Sequence, residues 1–122
     1  MLPAMRLRHL RSRWLVGVPF VVLPLLVGAC AQDDPPEVPA GADAALEQGR
    51  EVWADSCARC HGADGGGGSG VKLSDGRAEE LHPEIDTMID VIAEGRGAMP
   101  SFSQSLDPDE IEAVARYVRE VL

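Results

Sequence analysis

Cys57-Ala58-Arg59-Cys60-His61 is the stretch of sequence that decides the fold of this chain. Two thiols separated by two residues can each form a thioether with one vinyl group of a haem. The adjacent histidine is then placed to bind the iron from one face. No other segment of the 122 residues has comparable chemical specificity. The motif therefore predicts one covalently bound haem c, attached at Cys57 and Cys60, with His61 as an axial ligand.

Two other chemistries also use a Cys-x-x-Cys pair. A thioredoxin-like redox dithiol needs a strand directly before the motif, whereas residues 46–56 have a helical pattern. A zinc site needs two further ligands at short spacing, and beyond the motif the chain offers only His82. Cys57, Cys60, His61 and His82 would supply four ligands, but no known spacing supports that set. Haem attachment is therefore the preferred interpretation.

The first 29 residues have the three parts of a secretory signal peptide. Four arginines come first and an apolar stretch follows over residues 14–29, with no acidic residue. Val27-Gly28-Ala29-Cys30 resembles the bacterial lipobox, in which the cysteine is lipidated and becomes the mature N-terminus. The sequence thus predicts a signal peptide over 1–29 and lipidation of Cys30, which also accounts for an odd third cysteine. Ordinary cleavage beside a free Cys30 is the alternative.

Residues 30–42 join the predicted lipid anchor to a folded domain over 43–122. The joining segment is rich in Pro, Asp and Ala, and such a composition cannot bury a core, so a flexible tether is predicted. Multiple acyl chains hold a protein stably at a membrane surface. The expected location is therefore the outer face of the cytoplasmic membrane or the periplasmic face of the outer membrane.

The predicted mature chain is strongly acidic. The sequence has 11 Lys and Arg against 20 Asp and Glu, and loss of the four N-terminal arginines leaves seven basic residues and a net charge of −13. Such a charge argues against nucleic acid as a partner, because it would repel the phosphates. It favours a partner protein with a basic docking patch, since charge steering speeds encounter. An acidic surface that serves only solubility is the alternative.

Three helices are predicted in the domain, and no stretch alternates at a period of two. The first covers residues 43–55 with Asp43 as N-cap, and the second covers residues 83–94 with Gly95 as its stop. The third begins at Asp107-Pro108-Asp109-Glu110, which has the pattern of a capping box. The apolar stripes of the last two helices are Ile85, Met88, Ile89 and Ile92, and Ile111, Val114, Ala115, Val118 and Leu122.

The second axial ligand has three candidates, Met88, Met99 and His82. Met88 belongs to an apolar helical stripe, where core packing is the default, and His82 precedes a proline at a helix start. Met99 lies in Gly95-Arg96-Gly97-Ala98-Met99-Pro100, where the glycines permit close approach and the proline fixes the backbone after the sulfur. Met99 is the predicted ligand, and its thioether favours ferrous iron and raises the reduction potential.

These features together resemble a small bacterial class I cytochrome c, of the single-haem c6, c551 and c553 kind or of the kind fused to membrane oxidases. The resemblance covers most of residues 43–122. It is carried by Gly49-x-x-x-Trp53 before Cys57-x-x-Cys60-His61-Gly62, by the Met99 segment and by Ala113-Val114-Ala115-Arg116-Tyr117-Val118. It implies an all-α cytochrome c fold, with about three main helices around one haem c and the first and last helices crossing at Gly49.

One departure from the family concerns the loop after the haem motif. The family often has Gly-Pro-x-Leu there, and a carbonyl of this segment accepts the proton of the proximal histidine. This chain has Gly70-Val71-Lys72-Leu73 instead. Because the proline is absent, the sequence leaves the hydrogen-bond partner of His61 open.

The resemblance implies an electron carrier and not an enzyme. The expected function is one-electron transfer by Fe(II)/Fe(III) cycling in a membrane-tethered monomer. Expected partners are a respiratory oxidase, a quinol–cytochrome complex or a periplasmic dehydrogenase. Filled axial positions disfavour binding of oxygen or peroxide. The alternatives are a haem peroxidase or gas-ligand sensor with a displaceable Met99, and an accessory subunit that acts in assembly.

Overall fold

Residues 33–122, the part of the chain that the computed structural model describes, contain five α-helices and one π-helical turn. In chain order they are α1 (Ala44–Val52), the π-helical turn (Trp53–Cys57), α2 (Ala58–His61), α3 (Arg77–Leu81), α4 (Ile85–Glu94) and α5 (Pro108–Glu120). Within this range there is no strand, only one isolated bridge between Arg96 and Met99. The all-α prediction is confirmed. The predicted signal peptide and Cys30 lie outside the described residues.

Helix α1 begins where the sequence predicts. The Asp43 carboxylate accepts a hydrogen bond from the Leu46 backbone N–H at 3.1 Å, which is the expected N-cap contact. The sequence predicts that this helix runs to residue 55, but the backbone widens after Val52 into the π-helical turn, where the Ala58 N–H donates to the Trp53 carbonyl five residues back. The turn continues the helix directly into α2 and carries it to the Cys-x-x-Cys-His motif.

Helices α1 and α5 cross at Gly49, as the family resemblance implies. A Cβ atom added at Gly49 would lie 2.7 Å from the Ala113 carbonyl carbon and 2.9 Å from the Tyr117 Cβ. Real Cβ atoms do not approach other heavy atoms so closely, so only glycine permits this backbone-to-backbone contact. The crossing brings the end of α1, and with it the haem motif, against the last helix.

The core lies between α5 and the helices that pack on it. Trp53 and Tyr117 are the largest fully buried side chains, 1% and 0% exposed. The predicted α5 stripe is buried except for Leu122, which is half-buried. The other buried hydrophobic residues of the described chain are Leu46, Val52, Ala78, Met88, Ile92 and Ala113.

Helix α4 starts two residues later than predicted. Pro83 precedes the helix, and Glu84 is its N-cap in an extended conformation without a side-chain cap. The physical reason lies in α5, since the Arg119 guanidinium donates to the carbonyls of His82 at 2.8 Å and Pro83 at 3.2 Å. These bonds hold the segment between α3 and α4 outside the helix. The short helix α3 was not predicted.

Part of the segment before α1 contacts the folded domain. Pro35 is buried, and Val38 packs against the core cluster. The carbonyls of Pro35 and Pro36 accept hydrogen bonds from the domain. Residues 35–38 therefore lie on the domain surface.

The N-terminus of α5 has the predicted capping box. The Asp107 carboxylate accepts from the Glu110 N–H and the Glu110 carboxylate accepts from the Asp107 N–H, both at 2.9 Å. We expect Asp107→Ala to lower the free energy of unfolding by about 1 kcal/mol, because the helix loses its N-cap. Asp109→Ala, which removes an exposed first-turn acid without cap bonds, is the matched control in thermal unfolding. Equal losses in the two variants would contradict the prediction.

None of the helices in residues 33–122 has the length and apolar character needed to cross a bilayer.

Candidate functional site

The Cys-x-x-Cys-His motif lies at the end of the helical run that begins with α1. Cys57 ends the π-helical turn, and Cys60 and His61 belong to α2. Both thiols are half-buried and free, without a disulfide. Burial, reinforced by the neighbouring Cys60, raises the pKa of Cys57 to about 11. The Cys57 sulfur is thus a protonated thiol at neutral pH, which disfavours the thiolate that ligation of a metal ion requires.

The glycine-rich loop after the motif folds back onto it. The Gly67 N–H donates to the His61 carbonyl at 2.7 Å, and the Gly70 N–H donates to the Cys60 carbonyl at 2.8 Å. A further bond of 3.0 Å joins the Gly68 N–H to the Gly70 carbonyl. These bonds satisfy the carbonyls at the C-terminus of α2. They also fix the path of residues 67–70 beside His61.

The loop supplies the hydrogen-bond partner that the sequence left open. The His61 Nδ1 lies 2.8 Å from the Val71 carbonyl oxygen. A carbonyl can only accept, so the proton of the neutral ring is on Nδ1 and the Nε2 lone pair is available to a metal. Val71 thus stands where the family often has proline, and its backbone performs the same orienting contact.

Gly70 lies directly against the imidazole ring of His61. A Cβ added at this position would lie 2.8 Å from both Cε1 and Nδ1 of His61. The loop can therefore lie flat against the imidazole only because residue 70 has no side chain.

Gly70→Ala is expected to displace the His61 ring and to lengthen its bond to Val71. We expect a loss of about 1–3 kcal/mol in unfolding free energy, the usual range for overpacking, together with a changed His61 ring signal in NMR of the holoprotein. Gly66→Ala is the matched control, because there the nearest atom, at 2.9 Å, is the end of the exposed Asp64 side chain. An unchanged His61 signal in Gly70→Ala would show that residue 70 does not pack against the His61 ring.

Trp53 supports the site from the core. Its ring centroid lies 6.0 Å from that of His61 and 6.3 Å from that of Tyr117. The indole Nε1 donates to the Ala63 carbonyl at 2.9 Å. Trp53 thus packs between the site and the core, and its hydrogen bond adds a contact to the residues just after the motif.

Met99 lies on a tight turn between α4 and α5. The Arg96 N–H donates to the Met99 carbonyl at 3.1 Å, and the Met99 N–H donates to the Arg96 carbonyl at 3.0 Å. Gly95 and Gly97 have φ of 79° and 61°, which favours glycine. A Cβ on Gly95 would lie 2.6 Å from the Met99 carbonyl oxygen. Both glycines are therefore needed for the turn that presents the half-buried Met99.

The other two candidates for a second ligand have structural roles. Met88 is 4% exposed within the core cluster. His82 is the C-cap of α3, and burial together with the nearby Arg96 charge lowers its pKa. Its backbone carbonyl accepts the bond from Arg119 described above.

The zinc and dithiol alternatives find no support in the described residues. Over residues 33–122, no group of three or more His, Cys, Asp or Glu side chains could hold a metal ion. The four-ligand set with His82 is therefore not assembled. A helix rather than a strand leads into Cys57, which argues against a thioredoxin-like site. The free thiols, the free Nε2 of His61 and the two glycine-supported segments fit a covalently attached haem.

Comparisons with known proteins agree with this chemistry. The family model described as "Cytochrome C oxidase, cbb3-type, subunit III" matches residues 44–118. Cytochrome c6 of Leptolyngbya boryana is 35% identical over 79 residues, covering 63% of this chain and 91% of the relative. The cbb3-type cytochrome c oxidase subunit CcoP of Azospirillum brasilense is 32% identical over 85 residues, covering 64% of this chain but only 29% of the relative.

A solved structure gives the same answer for the fold. Cytochrome c6 from the diatom Phaeodactylum tricornutum superimposes with a TM-score of 0.52 and 26% identity, covering 60% of this chain and 88% of that one. Its similarity extends over nearly its whole length. The chain belongs to the cytochrome c family, in the group of domains described as cytochrome C oxidase, cbb3-type, subunit III.

Proposed function

We propose that this chain is a membrane-tethered cytochrome c that carries single electrons between respiratory or other redox partners. Membership of the cytochrome c family implies electron transfer through one covalent haem c, by a carrier rather than an enzyme. The proposal that His61 binds the haem iron rests on the 2.8 Å contact between His61 Nδ1 and the Val71 carbonyl. That contact orients a neutral imidazole beside two free thiols, as a proximal haem ligand requires.

Each site residue has a distinct task in this proposal. Cys57 and Cys60 would form the two thioethers, and His61 would bind the iron through Nε2 while Val71 holds its ring orientation. Met99 would supply the second ligand from the turn after α4. When bound, haem c supplies an iron that cycles between Fe(II) and Fe(III). The protein itself orients His61 and packs the buried Trp53 beside it, and with both His61 and Met99 bound to the iron it would disfavour binding of oxygen or peroxide.

One spectrum distinguishes the carrier from a peroxidase or gas sensor. The purified, haem-loaded protein in the ferric state should be low-spin and should show the far-red charge-transfer band of thioether ligation. Carbon monoxide should leave the spectrum of the ferrous form unchanged. A high-spin ferric form that binds peroxide readily would overturn the electron-carrier proposal in favour of the displaceable-Met99 alternative. An unreactive protein whose deletion removes another complex would favour the assembly role.

The proposed partners are a respiratory oxidase, a quinol–cytochrome complex or a periplasmic dehydrogenase with a basic docking patch. The acidic excess supports this, since Asp and Glu outnumber Lys and Arg by 20 to 11 in the whole chain. Of the seven basic side chains in residues 33–122, Arg50, Lys72, Arg77 and Arg116 already pair with carboxylates. The similarity to a CcoP subunit also favours a partner in an oxidase.

Electron exchange with a basic redox protein should slow as salt is added. We expect about a tenfold lower second-order rate at 0.15 M than at 0.01 M ionic strength, because the Debye length falls from about 30 Å to about 8 Å. Stopped-flow reduction measures the rate, and an uncharged quinol is the control reductant. A salt-independent rate with the basic protein would refute electrostatic docking.

The proposed anchor is a lipid on Cys30, which places the domain at the outer face of the cytoplasmic membrane or the periplasmic face of the outer membrane. Support comes from the apolar stretch and the Val27-Gly28-Ala29-Cys30 pattern in the sequence. Intact mass of the native protein should show the loss of residues 1–29 and the addition of acyl groups to Cys30. An unmodified Cys30 in a protein that remains in the soluble fraction would refute the anchor.

A further inference from the structure

Residues 35–38, here called the strap, make an unusual set of contacts for a Pro-rich segment before the first helix. The Arg50 Nε donates to the carbonyls of Pro35 and Pro36, each at 3.2 Å, and one terminal nitrogen of its guanidinium donates to Pro35 at 3.0 Å. The same nitrogen pairs with the Glu37 carboxylate at 2.6 Å. One side chain of α1 thus binds three consecutive residues of the strap.

Helix α5 adds an independent contact from the other end of the domain. The Tyr117 hydroxyl donates to the Pro36 carbonyl at 2.6 Å across 81 positions of sequence. The Tyr117 ring is fully buried in the core, and burial raises the pKa of its phenol to about 12. The hydroxyl therefore stays protonated and remains a donor at physiological pH. Pro35 is buried and Val38 packs on the core, so the contact is apolar as well as polar.

We propose that Arg50 and Tyr117 lock the strap onto the domain and thereby set how far the domain reaches from its N-terminal anchor. From residue 30 to Pro35 there are five residues, which span at most about 17 Å when fully extended. Were the strap free, the 14 residues from 30 to Ala44 would span about 48 Å. The lock therefore shortens the maximum reach nearly threefold.

The locking itself does not depend on lipidation, whereas its consequence at the membrane rests on the proposed anchor at Cys30. The two are tested separately. Full-length, haem-loaded protein in detergent is digested with a glutamyl endopeptidase, and cleavage after Glu37 is followed by mass spectrometry. An endopeptidase needs several residues in extended form, so a locked strap resists cleavage even though the Glu37 side chain is 82% exposed.

Arg50→Ala should raise the rate of cleavage after Glu37 at least tenfold, and Tyr117→Phe at least threefold with the ring left in the core. Arg77→Ala, which removes an exposed pair with Glu80, is the matched control and should cut at the wild-type rate. Circular dichroism and the haem spectrum verify that each variant is folded. Wild-type protein that is cut as fast as the Arg50→Ala variant would overturn the lock.

The membrane consequence is measured with vesicles that carry a fluorophore on the lipid headgroups, which haem quenches over short distances. Wild-type protein bound to such vesicles should quench more strongly than Arg50→Ala at equal bound amount. If wild-type protein and Arg50→Ala quench equally but still differ in their rates of cleavage, the claim about reach is wrong and the lock stands. Protein that does not float with vesicles would overturn the anchor, and with it the claim about reach, while the cleavage rates still decide the lock.

Discussion

Replacing Gly49 with alanine should cost the domain about 3 kcal/mol of unfolding free energy or more. Overpacking a tight contact costs about 1–3 kcal/mol and occasionally more. Here the new Cβ would meet backbone atoms of Ala113, 2.7 Å from its carbonyl carbon, and backbone cannot rotate away as a side chain can. A domain of about 80 residues has roughly 4–12 kcal/mol in total. The variant should therefore lose much of its stability.

The expected loss of stability is opposite in sign to the usual effect of a Gly→Ala substitution in a helix. In an exposed helix interior, Gly→Ala stabilises by roughly 0.5–1 kcal/mol because alanine has the higher helix propensity. Glu51→Ala, an exposed position two residues further along α1, is the control and should change stability by less than about 0.5 kcal/mol. Denaturant unfolding of the holoprotein, followed by circular dichroism, measures all three proteins. A neutral or stabilising Gly49→Ala would show that α1 and α5 do not cross at this residue.

Met99→Ala should abolish the far-red charge-transfer band and lower the reduction potential. Loss of the thioether removes the ligand that favours the ferrous state. We expect a fall on the order of 0.2 V, within the ~0.8 V over which axial ligands set haem potentials. The ferric variant should also become able to bind small anions, since one axial position is vacated. Spectroscopy and redox titration of the purified holoprotein give both readouts.

The matched control for this prediction is Met88→Leu. Met88 is the other methionine that the sequence offered as a ligand, and it lies in the core at 4% exposure. A volume-conserving swap there costs less than about 1.5 kcal/mol and should leave the band and the potential unchanged. A Met99→Ala variant that keeps the band, or a Met88→Leu variant that loses it, would show that the ligand has been assigned to the wrong methionine.

Much of the fold could be predicted because its signals are local. The N-caps at Asp43 and Asp107 depend on residues three positions apart, and both are present as predicted. The start of α4 could not be predicted in this way. It is set by Arg119, which lies 36 positions from Pro83 and binds the carbonyls of the segment before the helix. A hydrogen bond from a distant side chain to a backbone carbonyl leaves no sequence pattern near that carbonyl.

The same distinction applies to the candidate site. Cys57, Cys60 and His61 are recognisable because their side chains are rare and closely spaced. The acceptor for His61 is the Val71 carbonyl, and every residue has a carbonyl. Composition also predicted a flexible tether over residues 30–42, because a Pro-rich segment has little to bury. It could not show that Arg50 and Tyr117 would use the carbonyls of that segment as acceptors.

The π-helical turn at Trp53–Cys57 affects whether the helical run can lose a residue without losing its register. A π turn holds one residue more than an α-helical turn while the helix on either side keeps its direction. Loss of one codon between Trp53 and Cys57 would let this stretch close as ordinary α-helix. The tryptophan would still face the interior and the thiols would keep their orientation. We therefore expect deletion of one residue to be tolerated here, in the middle of the helical run, although it would throw most helices out of register.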